Sequence, residues 1–201
     1  MPQSSAVVAA FDFDGTISRK DTFFPFLLYA FGRPAAYRAL ALGLLELLRR
    51  NAHLSVRDRL KAALVRRLFT SVPREELEAV AAAYAREILE SQLRPKALER
   101  IRWHREQGHR CIMVSASIDL YLKHIARELG FSDLLCTRLA ASGDVFTGEL
   151  IGSNCRRAEK VRRLTVLLGN VAQYRIYAYG DSAGDKEMLA IAAEKFYKPF
   201  M

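Results

Sequence analysis

The sequence predicts an α/β fold, a parallel sheet sandwiched between helices, with a block of helices inserted after the first strand. Three observations carry that prediction. A short, continuous, partly β-branched apolar run at 6–11 ends on Asp12 and Asp14, as a fully buried parallel strand would. Helical patterning then holds from about residue 20 to Gly108. Beyond it, apolar strands alternate with helices, and a strand, crossover helix and strand in succession imply parallel pairing. The expected division is a core of 1–19 and 91–201 with a helical cap of 20–90.

The elements follow in order. After Thr16, the stretch 23–31 is nearly all apolar and is punctuated by Gly32, Arg33 and Pro34. A helix then runs from about Pro34, with Tyr37, Leu40, Leu44 and Leu47/Leu48 at helical spacing. Ser55 and Asp58 resemble a capping box with Asp in place of Glu, opening a helix striped by Val56, Leu60, Ala63/Leu64 and Leu68. Pro73 opens a third helix with acidic residues in its first turn, and Pro95 a fourth, closed by Gly108. Residues 111–114 read as a strand ending at Ser115, and Leu120 to Leu129 as a helix closed by Gly130. The pieces 134–140 and 145–151 read as a hairpin about Ser142, Gly143 and Asp144. A helix at 157–168, a strand at 175–179, a loop at 180–185, a helix at 185–192 and a short strand at Phe196 and Tyr197 complete the chain.

Composition narrows the classes. Of 201 residues, 51% are hydrophobic and 26% charged, the balance of a folded domain and not of a disordered one. Three cysteines without CxxC spacing argue against a disulfide framework or a zinc site. The four histidines lack metal-ligand spacing, and His104 and His109 read as surface or capping residues at a helix end. With no basic leader and no apolar run of membrane-spanning length, the expected compartment is the cytoplasm. The net charge is +9, and between Arg33 and Arg67 nine cationic residues face only Glu46 and Asp58.

Four polar clusters follow strands or precede helices: Asp12 with Asp14, Ser115 with Ser117, Lys160, and Asp181 with Asp185. Asp12 and Asp14 are two residues apart, so on extended backbone they project the same way, beyond the carboxyl end of the strand. Two carboxylates in one site need a cation or a shared proton. A phosphate monoester dianion needs a cation, hydrogen-bond donors, an in-line nucleophile and an acid for its leaving oxygen. Asp12 and Asp181 with Mg²⁺ meet the first need, and Ser115 and Lys160 supply donors.

The string Asp12-Phe13-Asp14-Gly15-Thr16, the strand end at Val114-Ser115-Ala116-Ser117, Lys160, and Gly180-Asp181-Ser182-Ala183-Gly184-Asp185 resemble, in order, the four motifs of the haloacid dehalogenase (HAD) superfamily. The helical insertion after the first motif resembles the branch that includes phosphoserine phosphatase. The resemblance implies a Rossmann-like core and a Mg²⁺-dependent phosphomonoester hydrolase working through an aspartyl phosphate. It makes Asp12 the nucleophile and Asp14 the acid and base. Asp12, the Asp14 carbonyl and Asp181 would hold the metal with Asp185 in support, and Ser115 and Lys160 the phosphoryl oxygens. Arg156, Arg157, Arg162 and Arg163 read as a solvated helix face, and Thr16 as structural.

For substrate, the branch places a glutamate nine residues after the nucleophile, where this chain has Asp21. Together with Ser115-Ala116-Ser117 in place of Ser-Gly-Gly and an apolar 23–31, that departs from the phosphoserine pattern. The expected substrate is a small phosphorylated metabolite. The alternatives are a phospholipid phosphatase acting on a phosphatidylglycerophosphate-like lipid, its basic cap touching an anionic membrane, and a catalytically silent HAD-like binding protein. An unpaired apolar face would also suit a homodimer. A nucleic-acid partner is not expected, for want of an aromatic-basic motif.

Overall fold

The computed structural model describes residues 6–49 and 55–201. Its elements are β1 (Val7–Phe11), α1 (Phe23–Arg49), α2 (Val56–Phe69), α3 (Arg74–Ser91), α4 (Pro95–Glu106), β2 (Arg110–Ile118), α5 (Asp119–Glu128) and β3 (Asp133–Thr137). There follow β4 (Leu139–Ser142), β5 (Val145–Leu150), α6 (Ala158–Leu168), β6 (Arg175–Gly180), α7 (Lys186–Ala190) and β7 (Glu194–Tyr197).

The main sheet is parallel throughout, in the order β3-β2-β1-β6-β7. β1 is central, and its alternating side chains serve two cores. Val8 and Ala10 face Leu164 and Leu168 of α6 and Met188 of α7. Ala9 and Phe11 face Ile101 of α4 and Ile125 of α5. Burial on both faces is the reason this run shows no polar alternation. The chain leaves β1 on one side toward β2 and returns on the other at β6. That reversal of strand order opens a crevice beyond the carboxyl end of β1, the customary ligand position in such sheets.

The helical block is bound to the core by shared apolar packing. Phe26 of α1 lies 5.3 Å from the ring of Tyr84 on α3 and 5.1 Å from that of Tyr121 on α5. Gly32 (φ 77°, ψ 157°) bends α1, a left-handed conformation suited to glycine. Ser55 caps α2 as expected, its hydroxyl accepting from the Asp58 N–H at 3.2 Å.

Several expectations are corrected. The stripe Tyr37, Leu44 and Leu48 faces outward: these residues are 48%, 47% and 83% exposed. The packed face of α1 is made instead by Ala36, Ala39 and Gly43. A Cβ at Gly43 would come within 3.0 Å of Leu60, so small side chains let α2 approach closely. Val56 is exposed as well. β2 continues past residue 114 to Ile118. The piece 134–140 divides into β3, which joins the main sheet, and β4, which pairs with β5 in a separate antiparallel hairpin. Side-chain bonding ends β3: the Thr137 hydroxyl lies 2.7 Å from the Ala116 carbonyl and accepts from the Cys155 N–H at 3.0 Å. His104 is fully buried, with Nε2 2.8 Å from the Tyr179 hydroxyl and Nδ1 2.7 Å from His109 Nδ1. All three cysteines are buried free thiols, and no helix among the described residues is long and apolar enough to cross a membrane.

Candidate active site

The site is assembled at the carboxyl end of the sheet. The Asp12 N–H donates to the Tyr179 carbonyl at 2.9 Å, extending the β1–β6 pairing by one residue and fixing where Asp12 points. A wide turn over Phe13–Ile17 follows, with Gly15 at φ 79°. A Cβ at Gly15 would sit 2.3 Å from Asp181 Oδ2, and one at Gly180 2.5 Å from the Cβ of Asp185. Both glycines are therefore needed for the two aspartates after β6 to come close to Asp12.

Lys160 enters from α6 and is almost wholly buried. Its ammonium donates to Asp12 Oδ1 at 2.6 Å, Asp185 Oδ1 at 2.6 Å and the Val114 carbonyl at 2.7 Å, which occupies all three of its protons. Asp14 is held differently, by neutral donors. Its Oδ1 accepts from the backbone and hydroxyl of Thr22 at 2.7 and 2.6 Å, and its Oδ2 from the Ser117 hydroxyl at 2.6 Å. Thr22 is itself bonded by Tyr121 at 3.0 Å and by Tyr84, whose hydroxyl donates to the Thr22 carbonyl at 2.9 Å. Ser115 is fully buried: its Oγ accepts from the Ser117 N–H at 3.0 Å and lies 3.5 Å from Asp14 Oδ2. Asp21 is exposed at the cleft mouth, and its Oδ1 accepts from the N–H groups of Phe23 and Phe24 at the start of α1.

The charges are unequal. Burial pushes the Asp12 carboxyl up to about 8, Lys160 opposing and the Asp185 and Asp14 carboxylates adding. Asp14 is raised by burial and by the charge of Asp21, against the hydrogen bonds of Ser117 and Thr22. Asp181 is raised by burial and by Asp185. Burial alone would lower Lys160, but Asp12 and Asp185 hold it well above its ordinary value. Oxygens of Asp12, Asp181 and Asp185 lie within 4.8 Å of one another. Among the described residues the Asp181 side chain accepts from another side chain only at Thr16, whose hydroxyl lies 3.5 Å away and nearer, at 3.1 Å, to Asp12 Oδ2. An under-bonded carboxylate beside a second one, all donors being hard oxygens, fits a divalent cation such as Mg²⁺, which would bring these carboxyls back down.

Asp12, Asp14, Ser117, Lys160, Asp181 and Asp185 open on a cleft of about 230 Å³ that Lys61, Arg57 and Arg156 also line, whereas the buried Ser115 does not line it. Lys61 donates to the Ala116 carbonyl at 2.6 Å and lies 4.4 Å from the Phe23 ring centroid. The expected solvated face around Lys160 is thus corrected in part. Arg162 and Arg163 pair with Glu159 at 2.7 and 2.8 Å, and Arg163 is half-buried, but Arg156 turns into the cleft. Thr22, Lys61 and Arg57 went unmarked in the sequence. The signal available for the last two was Arg57, Lys61 and Leu64 sharing one helical face, cations merging with an apolar stripe.

A family model described as haloacid dehalogenase-like hydrolase matches residues 9–190. The chain belongs to that family. Protein CicA of Caulobacter vibrioides, in strains NA1000 / CB15N and ATCC 19089 / CIP 103742 / CB 15, is 40% identical to it over 198 residues, covering 96% of this chain and 86% of the relative. Among solved structures, a protein of unknown function from Bordetella pertussis Tohama I matches with TM-score 0.79 at 23% identity, over 93% of this chain and 87% of that one. A substrate-bound phosphoserine phosphatase matches with TM-score 0.63 at 18% identity, over 97% and 87%. This HAD-like hydrolase therefore has the fold of the phosphoserine phosphatases, helical block included.

Proposed function

We propose that this HAD-like hydrolase is a cytoplasmic, Mg²⁺-dependent phosphomonoesterase that works through an aspartyl phosphate on Asp12. The observation that carries the reading is the unequal treatment of two neighbouring carboxylates: Asp12 is held by a buried ammonium as well as the Thr16 hydroxyl, and Asp14 by hydroxyls and an amide alone. Lys160 opposes the upward push of burial on Asp12, and with a divalent cation bound as well Asp12 would be ionised and nucleophilic. Surrounded by neutral donors and pushed up by burial, Asp14 is suited to take and give a proton.

An oxygen of Asp12 attacks phosphorus, and the bond from phosphorus to the alcohol oxygen breaks. Asp14 protonates that oxygen as it leaves, then takes a proton from the water that attacks the acyl phosphate and frees Asp12. Lys160 fixes Asp12 for the attack and offsets the charge gathered there; Ser115 and Lys160 would reach the transferring phosphoryl oxygens by exchanging a present bond, Lys160 one of its three acceptors and Ser115 its contact with Asp14. Asp12, Asp181 and the Asp14 carbonyl would hold Mg²⁺, Asp185 supporting, and when bound the ion supplies charge neutralisation at the phosphoryl group. Asp21, on the lining of the cleft, would lie beside the alcohol part of a small phosphorylated metabolite.

Rapid quenching with ³²P-labelled substrate tests the reading. The wild type should acquire an acid-stable, hydroxylamine-labile label that Asp12→Asn does not, and phosphate release should vanish in the variant. Phosphate release by Asp12→Asn at the wild-type rate would overturn it.

A further inference from the structure

The catalytic cleft opens into a second cavity of about 520 Å³, and the two differ in character. The inner one is lined by the carboxylates. The outer one is walled by Phe23, Phe24, Leu40, Leu60 and Leu64. They meet at Asp21, Arg57, Lys61, Ala116 and Arg156, which line both; the Asp21 carboxylate accepts from the Phe23 and Phe24 N–H groups, and three cations stand there against that one anion. Lys160 is enclosed by its own three acceptors, so these three cations form a separate positive group further out. Lys61 is fixed by the Ala116 carbonyl, whereas Arg57 and Arg156 have no ion pair or hydrogen bond from their side chains among the described residues. The apolar wall continues to the surface: the Phe24 ring lies 5.8 Å from that of Tyr37, which is half-exposed, and the outward stripe of α1 runs on from there.

We infer that the substrate is an amphiphilic phosphomonoester whose leaving group carries a second anionic group, held by Arg57 and Arg156, and an apolar arm lying along Phe24, Leu40 and Leu60. This rests on the phosphomonoesterase reading and names its substrate class. The physical argument is complementarity: unpaired guanidinium groups beside a dianion site attract another phosphate or carboxylate, and an apolar trough adjoining them gains from covering by hydrocarbon. A polar metabolite bearing one phosphate would use neither feature. A free amphiphile and a membrane lipid share the required chemistry.

The test is a set of probes: glycerol 3-phosphate with neither feature, 3-phosphoglycerate with the second anion, 4-nitrophenyl phosphate with an apolar arm, and phosphatidylglycerophosphate with both. The last is offered as a dioctanoyl monomer and as a long-chain lipid in vesicles. Hydrolysis by the wild type and equilibrium binding to Asp12→Asn, by calorimetry, are both read. The probe with both features should bind tightest. Arg57→Gln and Arg156→Gln should each weaken the two probes with a second anion by about tenfold and leave 4-nitrophenyl phosphate within about twofold. Leu40→Gln should do the reverse, weakening only the probes with an apolar arm. Preference for vesicles over the dioctanoyl monomer assigns the lipid source, and equal use assigns a free amphiphile. The inference is overturned if 3-phosphoglycerate binds the arginine variants as it binds wild type, or if glycerol 3-phosphate binds as tightly as the probe with both features. If no probe is hydrolysed but binding follows the expected order, the phosphomonoesterase reading fails and what stands is the ligand class of the cleft, not its turnover.

Discussion

At the scale of single residues, Asp14 is set apart by partners that are all uncharged. Asp14→Asn should lower kcat by about 10²- to 10⁴-fold for esters of ordinary alcohols. In the first turnover, where Asp14 serves only the leaving oxygen, the loss should be far smaller for 4-nitrophenyl phosphate, whose leaving oxygen needs no proton, and equal first-turnover losses on both would remove Asp14 from protonation of the leaving group. His104 yields a prediction about stability. Burial, with His109 and Arg100 nearby, lowers its imidazole from 6.5 to about 4. Between those values the unfolded chain binds a proton that the folded chain does not. Stability from this group is therefore complete above about pH 6.5 and lost as pH falls toward 4, by roughly 3 kcal/mol. Urea unfolding at pH 7.5 and 4.5 should show that slope in the wild type and a flatter one in His104→Gln. Asp12, Asp14, Lys160, Asp181 and Asp185 were legible in the sequence because each lies in a string of fixed spacing at a strand end or helix start. Thr22 and Arg156 were not, since a lone threonine or arginine acquires its role only from what the fold brings beside it.

Among the elements, α1 was readable as a helix and misleading as a surface. Apolar periodicity identifies a stripe but not its direction, and here, beyond Gly32, the small residues Ala36, Ala39 and Gly43 are packed while Tyr37, Leu44 and Leu48 face out. Phe26→Ala removes a ring shared by α1, α3 and α5 and should destabilise the protein by about 3–5 kcal/mol. Leu48→Lys, on the stripe that the pattern alone would have buried, should stay within about 0.5 kcal/mol of wild type. Thermal unfolding of the two variants checks both, and a large loss from Leu48→Lys would contradict the observed orientation. The hairpin β4–β5 was legible as two strands and a turn. Its separation from the main sheet was not, because a side-chain bond at Thr137 leaves no trace in hydrophobic spacing.

In the molecule as a whole, the parallel sheet and its helical insertion followed from the order of elements, and the site from four motifs. What brings those motifs together is long-range: Asp12, Lys160 and Asp181 meet only when β1, α6 and β6 are in place. A divalent cation bound there would stabilise the folded chain alone, so Mg²⁺ at about a hundred times its dissociation constant should add about 2.7 kcal/mol. The melting temperature should rise with Mg²⁺ and fall on chelation, with no rise in Asp181→Asn. A Mg²⁺-independent melting temperature in the wild type would remove the cation from this site. The bonds to Thr22 tie the helical insertion to the chemistry more directly. Tyr84 of α3 and Tyr121 of α5 grip the same threonine that orients Asp14. A movement that parted α3 from α5 would break one of those two bonds and loosen the threonine's hold on Asp14. The arrangement is an interlock: the aim of the Asp14 carboxyl is set only while the insertion is seated on the core.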